Sequence, residues 1–387
     1  MVPEWAPNVH PIIVHFPIAL LFIAVLVDFL AIMRHRFEWL QLAATGLYVL
    51  GAITAWMAFF SGREAAEEVL LPAAANPVLT EHADWAQWTA SLYGVLALVR
   101  LVAIWQGWML RKVVHLFFFL IAAGGLFMLY ETGDHGAQLV YKYGIGVSAI
   151  DRNQRDAHDR ARHQGDREIA NNYAVPADSG IQEVAGREEN KDQGHEGHEA
   201  EIALHVEENG SWIWDIGRDS KGILAQHFEW LTGDSESLNP MVVRDAERGD
   251  VLALHPKETS SLGVAGKPLV SVQGDLELNT NDFSGKIMIV HHVQDSRNFN
   301  FLSIEGDEMS LGEVRDGETK IHDKDNISTE GWLAVRVVSD KTHFRGYVDG
   351  KMKVHGHGKE PSPGRVGLFV EGTGTLLLDY LSVTSLR

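Results

Sequence analysis

The sequence predicts a multidomain membrane protein, a four-transmembrane-helix bundle followed by an extracytoplasmic all-β sandwich. Three observations carry this. Four apolar stretches, Ile12–Met33, Trp39–Phe60, Ala86–Trp105 and Val113–Tyr130, each approach the ~20 residues that a helix needs to cross ~30 Å of hydrocarbon. A polar segment with both signs of charge then runs over 151–200. Beyond it, short alternating runs are separated by Gly, Asp and Asn turns. The boundaries follow: 1–150 is the membrane domain with both ends extracytoplasmic, 151–200 a charged linker, and 201–387 the β domain.

Charge and composition narrow the function. The 387 residues hold 33 Lys and Arg against 52 Asp and Glu, a net charge of −19. The three segments carry −3, −5 and −11, so none has the basic excess that phosphate neutralisation requires, and nucleic acid is excluded as a partner. Zero Cys excludes disulfides, Cys-ligated zinc, iron–sulfur clusters and c-type haem. Any metal must rest on His, carboxylate or Met.

The first apolar stretch reads as a retained transmembrane helix rather than a signal peptide. Nothing before it is basic, it is too long, and no small-residue cleavage site follows. Arg34, His35 and Arg36 follow the first helix, and Arg111 and Lys112 precede the fourth. The intervening loop holds Glu64, Glu67, Glu68, Glu81 and Asp84 against Arg63 alone. The positive-inside rule puts the two basic loops in the cytoplasm and everything after Tyr130 outside. Trp39, Trp85, Trp88, Trp105 and Trp108 fall at the expected interfaces.

Four histidines belong to the outer face by this topology: His10, His15, His82 and His135. Two imidazoles from neighbouring helices at matching depth can be the axial ligands of one haem iron, a one-electron centre. His15 and His82 are the expected pair, and hence the metal ligands. His10 and His135 follow as second ligands or as hydrogen-bonding supports. Arg63 would pair with haem propionates. Imidazole equally suits copper or non-haem iron. The plainer reading is that these rings meet water and lipid headgroups. Deeper in the bilayer, Asp28 and Arg100 are expected to form an ion pair that fixes helix packing. His115 has no partner His at its depth, which disfavours electron transfer across the whole membrane.

The opening Asn8-Val-His10-Pro-Ile-Ile-Val-His15-Phe-Pro-Ile-Ala-Leu-Leu resembles the DUF2231 family of bacterial four-helix membrane proteins. His82 and Thr132-Gly133-Asp134-His135-Gly136-Ala137, with Gly144 and Gly146, complete the match over about residues 8–147. Gly136-Ala137 stands where the family has a Gly-Gly pair. Members occur beside or fused to redox modules, so the resemblance implies b-type haem. It also implies a bacterial inner-membrane, multi-pass protein whose C-terminal domain is periplasmic.

Residues 151–200 form a solvated linker, with Asp151–Glu168 as a short charged helix and His195 and His198 as solvated side chains. Past Ile202 the expected strands are Val251–His255, Leu269–Val272, Lys286–Val293, Asn300–Ile304, Leu333–Val338, His343–Val348, Lys351–Val354, Arg365–Val370 and Leu376–Val383. Asp349-Gly350 marks a hairpin. Trp332-Leu-Ala-Val-Arg336, His343-Phe-Arg345-Gly-Tyr347-Val-Asp349-Gly350-Lys351 and Gly364-Arg-Val-Gly367 resemble the concanavalin A-like jelly roll. Laminin-G-like domains and the 3-keto-disaccharide hydrolase family are the nearest resemblances within that fold. Glycoside hydrolysis needs two carboxylates facing one cleft. Glu229, Asp275, Glu277, Asp282 and Asp379 are scattered, and His291 and His292 should point to opposite faces of a strand.

The leading expectation is a b-type cytochrome-like electron-transfer subunit rather than an enzyme. Its sandwich would dock a periplasmic or membrane redox partner, a larger membrane complex, or a glycan. The alternatives are a non-enzymatic membrane anchor and scaffold, and a membrane-tethered glycan-processing hydrolase.

Overall fold

The computed structural model describes residues 8–34, 38–69, 71–146, 204–216, 220–257 and 259–387. Residues 151–200, with the expected short charged helix and His195 and His198, lie outside the described residues.

One short turn, α1 (His10–Ile13), leads into α2 (His15–Met33), α3 (Glu38–Glu67), α4 (Asn76–Trp105) and α5 (Lys112–Tyr141). All four spans are long and apolar enough to cross a bilayer. Each exceeds its apolar stretch because polar residues continue the helix beyond the hydrocarbon; α4 starts ten positions before Ala86. Small residues let the helices approach. A Cβ on Gly51 would sit 2.5 Å from Leu21, and one on Gly125 would sit 2.9 Å from Tyr93. Phe22, Leu98 and Phe117 point outward, as lipid-facing side chains should.

The expected intramembrane ion pair is present and wholly buried. Arg100 Nη1 donates to Asp28 Oδ2 at 2.8 Å and Nη2 to Oδ1. His115 Nε2 binds Oδ1 at 2.7 Å, and Arg100 Nε donates to Thr45 Oγ1 at 2.9 Å. Four spans thus converge on one carboxylate.

After β1 (Leu204–Val206), β2 (Trp212–Asp215) and a short helix α6 (Ser220–Gln226) come twelve further strands. They are β3 (Glu229–Thr232), β4 (Met241–Asp245), β5 (Gly249–Leu254), β6 (Ser261–Leu269), β7 (Val272–Asp295) and β8 (Asn298–Glu305). The rest are β9 (Glu308–Arg315), β10 (Glu318–Asn326), β11 (Trp332–Asp340), β12 (His343–Val348), β13 (Lys351–His357) and β14 (Gly364–Ser385). All pairings are antiparallel, and the sheet folds over on itself as a jelly-roll-like sandwich. The long strands β7 and β14 pair along almost their whole length and belong to both layers. They cross where backbones touch: a Cβ on Gly285 would sit 2.2 Å from Glu371 O. One layer runs β2-β14-β7-β11-β12-β13, and the other runs β6-β14-β7-β8-β9-β10. Leu276, Leu278, Val335 and Val337 meet Ile287, Ile289, Leu302 and Leu368 in the core between them.

Several strand expectations need correction. Leu269–Val272 is not a strand of its own, because β6 ends at Leu269 and β7 begins at Val272. His291 and His292 do not point apart. His292 has φ 52°, which breaks the alternation, and their Nδ1 atoms lie 2.8 Å apart in the interior. His292 Nε2 donates to Val270 O, so its Nδ1 must accept the proton of His291.

The outer face of the first layer rests on the α3–α4 connection and the first turns of α4. Asn76, Thr80 and Asp84, four apart and therefore on one helix face, meet Gln273, Arg345 and His343. Arg336 Nη1 donates to Leu71 O at 2.8 Å, and Lys341 and Arg387 both engage Glu81. This junction lies at the end of the bundle opposite Arg34, Arg111 and Lys112.

Candidate functional site: a histidine-rich junction

The bundle contributes three histidines whose tautomers are fixed by their partners. His82 Nδ1 donates to Thr132 O at 2.9 Å, and His135 Nδ1 to Glu131 O at 2.8 Å. His10 Nδ1 lies 3.1 Å from Ser61 Oγ, whose own proton goes to Ala58 O. The Ser61 oxygen therefore accepts, and His10 Nδ1 carries the proton. In each ring Nε2 is the nitrogen these hydrogen bonds leave free.

His10 and His82 are neighbours, with ring centroids 6.5 Å apart and planes at 83°. His135 is close enough to couple electrostatically to His82. Glycines admit the rings: a Cβ on Gly62 would sit 2.9 Å from His10, and one on Gly136 would sit 3.0 Å from His82.

The expected His15–His82 pair does not form. His15 is exposed on α2 and makes no side-chain hydrogen bond or ring contact among those found for the described residues. Five residues separate His10 from His15, about 140° around a helix, so turning His10 inward turns His15 away. Arg63 also differs from expectation. The residue after Gly62, it lies near the sandwich, where its charge is felt at His355 and His357.

Those two rings belong to a second cluster that the sequence reading did not anticipate. His343 and Arg345 on β12 face His357 and His355 on β13. The ring centroids of His343 and His357 are 4.5 Å apart, and those of His355 and His357 are 4.7 Å apart. Each ring has a nitrogen within 4.8 Å of a nitrogen on the other two.

A bulge creates this arrangement. The two-residue turn at Asp349-Gly350 pairs Val348 with Lys351 and Tyr347 with Met352. Continued without interruption, that register would set His343 opposite Gly356 and send His355 and His357 to the other face. Between Gly346 and Tyr347 the register shifts by one, with Lys353 as the extra residue. All three histidines then share the outer face, while Val354 enters the core.

His343 Nε2 donates to Asp84 Oδ1 at 2.9 Å, and its Nδ1 is buried without a hydrogen-bond partner among the described residues. His355 Nε2 is likewise buried without a partner. Burial, reinforced by the Arg345 charge, lowers the His355 pKa to about 3, and burial together with His343 and Arg63 lowers that of His357. Both rings are neutral near pH 7.

Arg248 Nη1 binds Glu277 at 2.5 Å and Asp379 at 3.5 Å, and Arg336 binds Asp275 at 2.5 Å. Each is held in an ion pair on the sheet surface.

Comparison with known proteins bears on both halves. The family model described as "Predicted membrane protein (DUF2231)" matches residues 6–149. The helical half is a DUF2231 domain. No curated protein matches the chain significantly. Solved structures similar to the β half include the carbohydrate-binding module CBM66 from Bacillus subtilis, with 13% identity over 41% of this chain and 98% of that chain, TM-score 0.33. A Bacillus subtilis protein of unknown function with a galectin-like fold gives 10% over 43% and 92%, TM-score 0.34. Bacillus licheniformis β-glucanase gives 12% over 46% and 98%, TM-score 0.32. The bundle histidines lie within the DUF2231 match, and the second set lies on strands β12 and β13.

Proposed function

We propose that the protein is a membrane-anchored electron-transfer subunit in which the DUF2231 domain holds haem b through His10 and His82. The observation that carries this reading is the pair itself. Two imidazoles from different helices have Nδ1 tied to helix oxygens and Nε2 left over. The ring centroids lie 6.5 Å apart, and His10 and His82 would hold the iron of such a group through these remaining nitrogens. The donor set therefore fits the group. Haem held there would supply one-electron chemistry.

The chain's own residues prepare the site. Ser61 and the Thr132 carbonyl fix the tautomers and orient the rings, as supporting hydrogen bonds do for metal-bound imidazoles. Gly62 and Gly136 keep Cβ atoms out of the space beside them. His135, with Nδ1 on Glu131 O, stands as a third imidazole within electrostatic reach.

Arg34, Arg111 and Lys112 mark one end of the bundle, and Glu64, Glu67, Glu81 and Asp84 gather at the end that carries the sandwich. The positive-inside rule makes the sandwich end extracytoplasmic, and periplasmic at a bacterial inner membrane. A periplasmic or membrane redox partner would then meet the sandwich and the histidine end together.

A reduced-minus-oxidised spectrum of detergent-purified protein tests the reading. We expect Soret and α bands that disappear in His10→Ala and His82→Ala and persist in His15→Ala. Protein from haem-replete cells with no Soret absorbance would refute it.

A further inference from the structure

We propose a second, independent site: His343, His355 and His357 bind a first-row divalent transition-metal ion such as Zn²⁺, with Asp84 of the DUF2231 domain orienting His343. It uses none of the residues assigned to haem and stands whether or not haem binds.

The donor set is the first argument. Three imidazoles present nitrogens within 4.8 Å of one another, without a carboxylate or carbonyl cage among them. Such donors suit zinc, copper, nickel or iron rather than the oxygen-seeking Mg²⁺ and Ca²⁺.

The second argument is that two of the nitrogens lack partners. His343 Nδ1 and His355 Nε2 are buried and make no hydrogen bond, and His343 as a whole is 3% exposed. Buried polar atoms without partners are uncommon and cost free energy, so two of them within one histidine cluster point to a ligand.

The third argument is the Asp84–His343 hydrogen bond. A carboxylate on one ring nitrogen fixes the tautomer and makes the other a better donor, the arrangement found behind metal-bound histidines. Asp84 comes from α4 and the three rings from β12 and β13, so the ion would be held more tightly when the two halves are docked. His357 is exposed and able to close the remaining gap toward the roughly 2.0–2.1 Å of a metal–nitrogen bond. Arg63 and Arg345, whose charges reach His355 and His357, favour an anion beside the ion, such as hydroxide or a small oxyanion.

The test uses the full-length protein in detergent, stripped with a chelator, in a His195→Ala/His198→Ala background so that the linker imidazoles do not contribute. Co²⁺ alone is titrated, and the visible d–d bands of low-coordinate Co²⁺ are followed, with Zn²⁺ as competitor. We expect one equivalent to bind, a loss of affinity of about 100-fold or more in His355→Ala and His357→Ala, and about 10-fold in Asp84→Asn. His10→Ala and His82→Ala should leave the Co²⁺ spectrum unchanged while removing any haem absorbance, so the two proposals fail separately. Folding of each variant is checked by circular dichroism, and His343→Gln serves as an additional ligand variant. Absence of stoichiometric Co²⁺ binding to the folded protein overturns the proposal. So does binding that survives in both His355→Ala and His357→Ala.

Discussion

His343 on the sandwich and Asp84 on the membrane helix are joined by a 2.9 Å hydrogen bond, linking residues 259 positions apart. Thr80, one turn before Asp84, receives Arg345 at 3.0 Å, and Asn76, a further turn back, donates to Gln273 at 2.9 Å. A single stripe of α4 therefore reads the outer face of the sheet. The sandwich does not hang from its tether; it is seated on the bundle by polar contacts, and the histidines of both halves lie at that seat.

Loss of the Asp84 contact should loosen the seat without unfolding either half. Asp84→Ala removes an acceptor that is about one-third exposed, so the expected cost is about 1 kcal/mol. Hydrogen exchange should show faster exchange at 71–84 and at β12–β13, with the remaining strands unchanged.

Acid should weaken the sandwich before it affects the spans. His355 stays neutral in the folded state down to about pH 3, whereas an unfolded histidine is protonated near 6.5. The fully buried His291 is also held well below its ordinary value by burial. A depressed folded pKa means that the unfolded chain binds more protons below 6.5. Stability is therefore intact above that pH and falls as pH drops toward 3, approaching ~1.4 kcal/mol per pH unit for a fully shifted ring. Thermal unfolding between pH 8 and pH 5 should show this slope, and His355→Gln should flatten it.

Inside the bilayer, Asp28→Leu should be far more damaging than its size suggests. It strands the fully buried Arg100, which otherwise makes two bonds to that carboxylate. The expected loss is about 3–5 kcal/mol, read as a shift in the denaturing-detergent midpoint. The Asp28→Leu/Arg100→Leu double variant should recover most of it.

Gly51→Val tests close helix packing. Its first side-chain atom would fall 2.5 Å from Leu21, so we expect destabilisation of about 1–3 kcal/mol by the same midpoint, while Gly46→Ala, with open space around it, should be silent.

The sequence made the spans legible because a lipid-facing helix must be apolar over a fixed length, and it made Asp28 and Arg100 legible because charges at one depth must pair. The histidine pair was only half legible. His82 neighbours His10 rather than the expected His15; that choice depends on which way the first turn faces, and α1 ends at Ile13 just before His15. The β half was harder. β10 is largely exposed on both faces, so Glu318–Asn326 shows no apolar alternation to read. The His343, His355 and His357 cluster was hidden by a single extra residue, Lys353, which reverses the faces that the Asp349-Gly350 turn alone would imply. Spacing of His-x-Arg and His-x-His on the two arms of a hairpin was the available signal, yet its meaning depended on that bulge.

The most direct measurement of the central claim is the electron paramagnetic resonance spectrum of the oxidised, detergent-purified protein. Two imidazoles with planes 83° apart on one iron should give a low-spin ferric signal of the strongly anisotropic kind, absent from His10→Ala and His82→Ala and intact in His15→Ala. A protein that gives no low-spin ferric signal, or one whose signal depends on His15 rather than His10, would contradict the account.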